Sequence, residues 1–225
     1  EPWFGGEKMM EMAFLNALNK TAYMPPYDPY FAGGVLNYYY YGQYLMVVLM
    51  KLVGIPAEIG FNLAVPTLFA LLVSHVFWLG SRLTPFGKAA KQGAISHSGV
   101  VAGLSAVLVV TVMGNLSVLM QFVRRILALG GAKRWYGLGW QEALSALWRG
   151  MRAVLYDGAK LSGFFEYWYG GTRIIPYTIN EFPFFSYLFA DLHPHMIAMP
   201  FSVLLLCLFW RICDRQFQIR LGRVP

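Results

Sequence analysis

The densest set of chemistry-bearing side chains in this sequence is Asp191-Leu192-His193-Pro194-His195, which places one carboxylate and two imidazoles within five residues. It follows the aromatic run Phe182-Pro183-Phe184-Phe185-Ser186-Tyr187-Leu188-Phe189 and stands directly before an apolar stretch. Alternate side chains of an extended segment share a face, so Asp191, His193 and His195 are expected on one side. Such a set could hold a divalent metal ion, grip a phosphate or relay a proton. The plainer alternative is hydrogen-bonded capping of the helix that follows.

Other groups could serve the same chemistry. Glu7 and Lys8 open a short stretch, Glu7 to Leu18, in which Met10, Phe14, Ala17 and Leu18 recur at helical spacing. Glu7 could deprotonate an acceptor hydroxyl, and Lys8, a compact cation, could hold a phosphate. A carboxylate near membrane depth is expected to be partly desolvated and so a better base near neutral pH. The structural alternative is an acid favoured by the dipole at a helix start. Glu11 lies one turn on, shares the face of Glu7 and competes for the same role. Asp28 stands between Pro26 and Pro29, where it either binds substrate or hydrogen-bonds its own turn. Tyr38 and Tyr39 belong to a run of four tyrosines that reads as a sugar-stacking platform or as an interfacial aromatic belt. A run of four points all round a helix, so at most two could face a substrate. Arg173 and Glu181 read as substrate contacts or as an ion pair within a loop. His75 and His97 stand alone and read as structural.

The elements that must position these groups follow from composition. The 225 residues are 57% hydrophobic and only 13% charged, against about 25% charged in soluble domains. This is the composition of a membrane protein. The net charge of +7 gathers at helix ends, as topology signals and headgroup contacts do, and nucleic acid is excluded as a partner. Cys207 and Cys213, six apart, form neither a disulfide framework nor a zinc motif. The sequons at Asn19 and Asn115 carry little weight. The chain opens on Glu1 without a Met or a leading apolar segment and closes at Pro225, so it is expected to be a piece of a longer protein.

Three apolar stretches, 59–80, 99–120 and 194–210, are expected to span, each near the ~20 residues a bilayer needs. The third starts at Pro194 because proline suits a first helical turn. The basic loop of Arg82, Lys88 and Lys91 and the tail arginines 211, 215, 220 and 223 are expected inside. Residues 121–193 then form an external loop. Within it Leu144, Leu147, Trp148, Met151 and Leu155 recur at helical spacing while Arg149 and Arg152 face elsewhere, the pattern of a helix lying in the interface. Residues 35–52 either span or lie on the outer surface, and the second choice brings Glu7, Asp28, Glu181 and Asp191 to one face. Residues 1–58 are then a second external loop with juxtamembrane helices.

Several stretches together carry a resemblance: Gly5-Gly6-Glu7-Lys8, Pro26 to Gly34 (PYDPYFAGG), Asn37-Tyr38-Tyr39-Tyr40, Glu181-Phe182-Pro183-Phe184 and Asp191 to His195. The chain resembles the uncharacterised YYY-motif integral membrane proteins of bacteria and archaea, which look distantly like GT-C glycosyltransferases. That likeness implies an external loop carrying a catalytic acid, surface-lying helices, and sugar transfer from a polyprenyl-phosphate carrier. The GT-C acid is commonly the Asp of an Asp-Glu pair, and Gly6-Glu7 stands in that place here. The expectation is an all-α, polytopic, multi-pass cell-membrane protein, a fragment of a larger GT-C-like fold with surface-lying helices outside. Glu7 and Asp191 are its catalytic groups. Lys8, Asp28, Tyr38, Tyr39, Arg173 and Glu181 contact substrate, and a divalent metal ion sits at Asp191, His193 and His195. Its partners are membrane lipids, a lipid-linked sugar donor and other membrane subunits. The alternative is a non-enzymatic helical subunit or scaffold of a larger membrane complex.

Overall fold

The computed structural model describes residues 6–83, 95–134, 136–161 and 163–220. Gly5, Lys88, Lys91 and Arg223 lie outside the described residues. The chain forms two compact units, residues 1–112 with 186–225 and residues 113–185. Helices make up the regular structure of both, as an all-α membrane protein requires when each backbone polar group must be paired without water.

The first unit contains α1 (Lys8–Lys20), α2 (Tyr41–Val53), α3 (Ala57–Leu83), α4 (His97–Val107) and α9 (Pro194–Arg220) with its approach. Ala57, Phe61, Ala64, Leu68, Leu72 and Val76 form the buried stripe of α3, and steps of three and four residues keep them on one face. Leu15 and Leu18 of α1, Met46, Val47 and Met50 of α2, and Met196 and Ile197 of α9 close this core. In α4, Gly103 lies so near α3 that a Cβ would press on Phe77, the small-residue contact that lets membrane helices approach closely. His75 of α3 meets the Pro200 carbonyl of α9 at 3.0 Å.

Helices α3 and Pro194–Asp214 of α9 are long and apolar enough to span. Both contain the expected spans and start where the sequence suggested or two residues earlier. The expected span 99–120 differs. Its helix passes into a π-helical turn at Leu108–Met113, breaks, and resumes as α5 (Ser117–Leu129). The break falls at Gly114, with φ +55°, where a Cβ would collide with Phe182. Asn115 then accepts from the Ser117 amide at 3.0 Å and donates to the Gly171 carbonyl at 3.0 Å. If the broken pair counts as one span, the described residues hold up to three.

Helix α2 has 13 residues, about 20 Å at 1.5 Å per residue, short of a ~30 Å hydrocarbon core. Tyr38, Tyr39 and Tyr40 precede it in irregular structure, and Tyr41 is its first residue. Between α1 and α2 the chain doubles back on itself, with Tyr27 and Val35 bridged antiparallel.

The second unit holds α5, α6 (Trp140–Leu155), α7 (Phe164–Gly170) and a single 3-10 turn, Gly171–Arg173. The boundary falls inside α8, Pro183–Phe189. Its aromatic centre stacks Trp168 on Phe184, ring centroids 4.2 Å apart, beside Phe182 and Phe185.

Candidate functional site: a carboxylate-imidazole cluster

The first turn of α1 and the segment Asp191–His193 meet in the first unit. Helix α1 buries Glu11, Phe14, Leu15, Ala17 and Leu18. Glu11 thus sits at the head of an apolar stripe and has no solvent exposure. A lone carboxylate there would be prohibitively desolvated, so it must be met by donors. It is met twice: by the Leu192 amide, and by His193 Nδ1 at 2.7 Å from Glu11 Oε1.

The other edge of the same imidazole faces Glu7, with Nε2 3.0 Å from Oε2. Asp191 Oδ2 lies 3.7 Å from Nδ1 and accepts the Glu7 amide at 3.0 Å. Lys8 Nζ approaches Asp191 Oδ1 at 3.2 Å and stands over the Phe189 ring, 4.5 Å from its centroid. Gly6 makes the approach possible. Its φ is +73°, and a Cβ there would strike the Asp191 carboxylate and the Phe189 ring. Gln43, fully buried in α2, donates to the Leu192 carbonyl at 3.3 Å and fixes the segment from behind.

Three carboxylates therefore surround two cationic side chains. With a carboxylate on each ring nitrogen, His193 is best held as the imidazolium. The close Glu11 partner, opposed by burial and helped by the charges of Glu11, Glu7 and Asp191, lifts its pKa to about 9. Burial pushes Glu11 itself above the usual carboxylate range, and His193 pulls it back only in part. The side chains differ in access. Glu11 is closed off, Asp191 and Lys8 are 6% and 12% exposed, His193 is 22% and Glu7 is 53%. A ligand arriving from solvent meets Glu7 and His193 first. The desolvated carboxylate is Glu11 rather than Glu7.

Tyr38 and Tyr39 diverge. Tyr38 packs on Phe14 at 5.3 Å, and burial followed by the charges of Glu7 and Glu11 raises its pKa, which places its ring by the acids. Tyr39 instead borders an apolar groove of about 510 Å³. Gly42 and Leu45 of α2 line one wall, and Pro194, Ile197, Phe201 and Leu205 of α9 line the other. One of its lining residues, Pro194, directly follows His193.

His195 occupies the first turn of α9, exposed, its ring 5.4 Å from that of His193. Among the described residues no group of three or more His, Cys, Asp or Glu side chains is arranged to hold a metal ion. Asp28 caps its own turn, Oδ1 accepting from the Tyr30 and Phe31 amides at 2.8 and 3.2 Å. Arg173 and Glu181 belong to the second unit. Arg173 donates to the Thr172 hydroxyl at 2.6 Å and stacks over Tyr169. Sequence reasoning passed over Gln43 and the groove, and set Glu11 behind Glu7. The signal was present, since Glu11, Phe14, Leu15 and Leu18 make an i, i+3, i+4, i+7 stripe.

No curated protein and no solved structure matches the chain. A family model described as "Uncharacterized membrane protein (DUF2298)" matches residues 1–220. Nearly the whole sequence is covered by that match, and its helices are those of a membrane protein, so the chain belongs to the DUF2298 family of uncharacterized membrane proteins.

Proposed function

We propose that the protein is a GT-C-like glycosyltransferase that moves a sugar from a polyprenyl-phosphate carrier to an acceptor at the outer membrane surface. One observation carries this reading. A solvent-accessible carboxylate, Glu7, and a cationic pair, Lys8 and His193, form one cluster, and Pro194, the residue after His193, is among those that line an apolar groove. An amphiphile with an anionic phosphate and an apolar tail suits both halves.

In the reaction the acceptor oxygen bonds to the anomeric carbon as the bond from that carbon to the phosphate oxygen breaks. Glu7 takes the acceptor proton. Lys8 and the His193 imidazolium offset the charge that grows on the departing polyprenyl phosphate. Asp191 orients Lys8 and the Glu7 backbone, so here it is a positioning group as much as a catalytic one. Tyr38, beside the acids, offers a ring face to the sugar, and Tyr39 offers one to the apolar tail in the groove. Asp28, Arg173 and Glu181 receive no role from this geometry.

A divalent ion at Asp191 and His193 is the competing way to supply positive charge. It would displace Lys8 from Asp191 and the proton from the imidazole, so ion and ion-pair network exclude one another. Chelation should leave transfer by the purified protein unchanged. Loss of transfer on chelation, restored by added Mg²⁺ or Mn²⁺, would move the leaving-group role to a metal.

The direct test uses full-length protein and a radiolabelled short-chain polyprenyl-phosphate hexose, offered with a membrane extract as acceptor source. Glu7→Gln keeps size and hydrogen bonding and removes the base. It should lower transfer by about 10² or more while donor binding persists. Full transfer in Glu7→Gln would rule Glu7 out. Absence of any transfer by the parent, with donor unbound, would leave the chain a helical subunit of a larger complex.

A further inference from the structure

Helices α5 and α6 of the second unit form a hairpin, and among the described residues one face of α6 is exposed. The two helices are pressed together at their small residues. A Cβ at Gly150 would run into the Ile126 carbonyl, and one at Gly130 into the Ala146 carbonyl. Arg149 locks the same crossing by donating from Nε to the Gly130 carbonyl at 2.9 Å. Ala146 and Gly150 are therefore the packed edge of α6, and the helix cannot turn any other face inward.

That fixes what the remaining faces show. Trp140, Leu144, Trp148, Met151 and Leu155 fall within about 80° of the helix circumference at 3.6 residues per turn. All are exposed, the two tryptophans at 73% and 72%. Gln141, Ser145, Arg149 and Arg152 lie along the next sector. Between residues 117 and 160 the sequence carries seven Lys and Arg against two Asp and Glu. Apolar stripe, tryptophans and cationic border together match an acyl-headgroup boundary, where indole rings settle and basic side chains meet phosphates.

We propose that the α5–α6 hairpin docks flat on an anionic lipid leaflet, its Trp140–Leu155 stripe sunk about 5–10 Å into the headgroup boundary and its basic residues at the lipid phosphates. The occupant is lipid rather than a second protein because the cations outnumber the acids on the hairpin and two exposed tryptophans stand on the stripe. The surface is independent of the sugar-transfer reading, and neither stands or falls with the other.

The test uses the full-length chain with Cys207→Ser and Cys213→Ser, reconstituted in vesicles of equal parts phosphatidylcholine and phosphatidylglycerol. An environment-sensitive fluorophore is attached at Leu144→Cys on the stripe or at Ser145→Cys on the polar sector. The label at 144 should emit to the blue and be quenched by a nitroxide carried near the lipid headgroup, but not by aqueous iodide. The label at 145, on the sector that borders the phosphates, should emit further to the red and be open to aqueous iodide. In phosphatidylcholine alone, lipid-borne quenching at 144 should fall several-fold. Iodide quenching at 144 equal to that at 145 would put the stripe in water, and shielding of 144 from both quenchers would put it under protein. Either outcome overturns the proposal, as does lipid quenching indifferent to phosphatidylglycerol. If Leu144→Cys lowers the folded fraction, Leu155→Cys at the far end of the stripe reads the same contact.

Discussion

The two units use their polar groups differently. In the first, the ties that organise the charged cluster join residues 181 to 186 positions apart, from Glu7 and Glu11 to Asp191, Leu192 and His193. In the second, many of the described ties are local. Arg173 donates to Thr172 and Tyr169, and Asn180 accepts from Ile175 and Thr178. Local bonds of this kind satisfy turns and helix ends at small entropic cost. Long-range bonds among charges must first offset the closure of a large loop and then the desolvation of each ion. A cluster with three acids for two cations is a poor way to gain stability. That the chain nonetheless buries Glu11 there favours a chemical reason for the arrangement over a structural one.

The contrast is broken most directly at Glu11. Glu11→Ala leaves His193 Nδ1 with only Asp191 at 3.7 Å and the Leu192 amide without its acceptor, a loss of about 2–3 kcal/mol for buried donors left unpaired. Arg173→Ala, at an exposed position, should cost less than about 1 kcal/mol. Denaturant unfolding of both variants in detergent measures the two losses. Equal losses would remove the distinction between the units.

A smaller effect comes from pH. The folded pKa of His193 is about 9, raised from 6.5. Its contribution is therefore complete below 6.5 and is lost as pH climbs through about 9. Glu11, also raised, binds its proton more tightly in the fold and so acts in the same direction. The unscreened shift corresponds to about 3 kcal/mol, and the partial exposure of His193 screens the loss to on the order of 2 kcal/mol. His193→Gln should flatten it. Thermal unfolding scanned from neutral to alkaline pH decides, and a parent whose stability rises with pH would contradict the charge state assigned to His193.

The smallest effect separates two glycines. Both Gly6 and Gly158 have positive φ, +73° and +68°, but only Gly6 has neighbours where a Cβ would stand. Gly158→Ala, in the second unit, should cost only the backbone penalty of about 1 kcal/mol. Gly6→Ala should cost about twice that, because its methyl also pushes Asp191 away from the Glu7 amide. Matching losses would mean that Asp191 moves freely and that the site is less rigid than its contacts suggest.

Much of the first unit was legible in the sequence because its signals are covalent and local. Pro194 marked the start of α9, the apolar run marked α3, and Glu7 to Leu18 read as a helix. The break at Gly114 was passed over, although Gly114-Asn115 is a turn-forming pair within the otherwise apolar stretch Leu108 to Met120. What breaks it is a steric demand from Phe182, about seventy residues away. The cluster was half visible. Asp191 and His193 stood out by type and spacing, and the pairing of Glu7 with Glu11 followed from one helical turn. That both carboxylates close on a single imidazole could not be read, because no local pattern specifies which distant donor a buried acid meets. Tyr38 and Tyr39 are adjacent in sequence yet serve different surfaces, a divergence set by the packing of Phe14 against one of them.

The separation of Glu11 from Leu192 by 181 residues has a consequence for biosynthesis. At about 5–20 residues per second, Glu11 leaves the ribosome roughly 10–40 seconds before the segment that satisfies it. Throughout that interval α1 carries a carboxylate on its apolar stripe and cannot dock without stranding it. Final seating of α1 therefore waits for the last helix to be inserted. Chains that stall before residue 191 keep α1 as an unseated amphipathic helix.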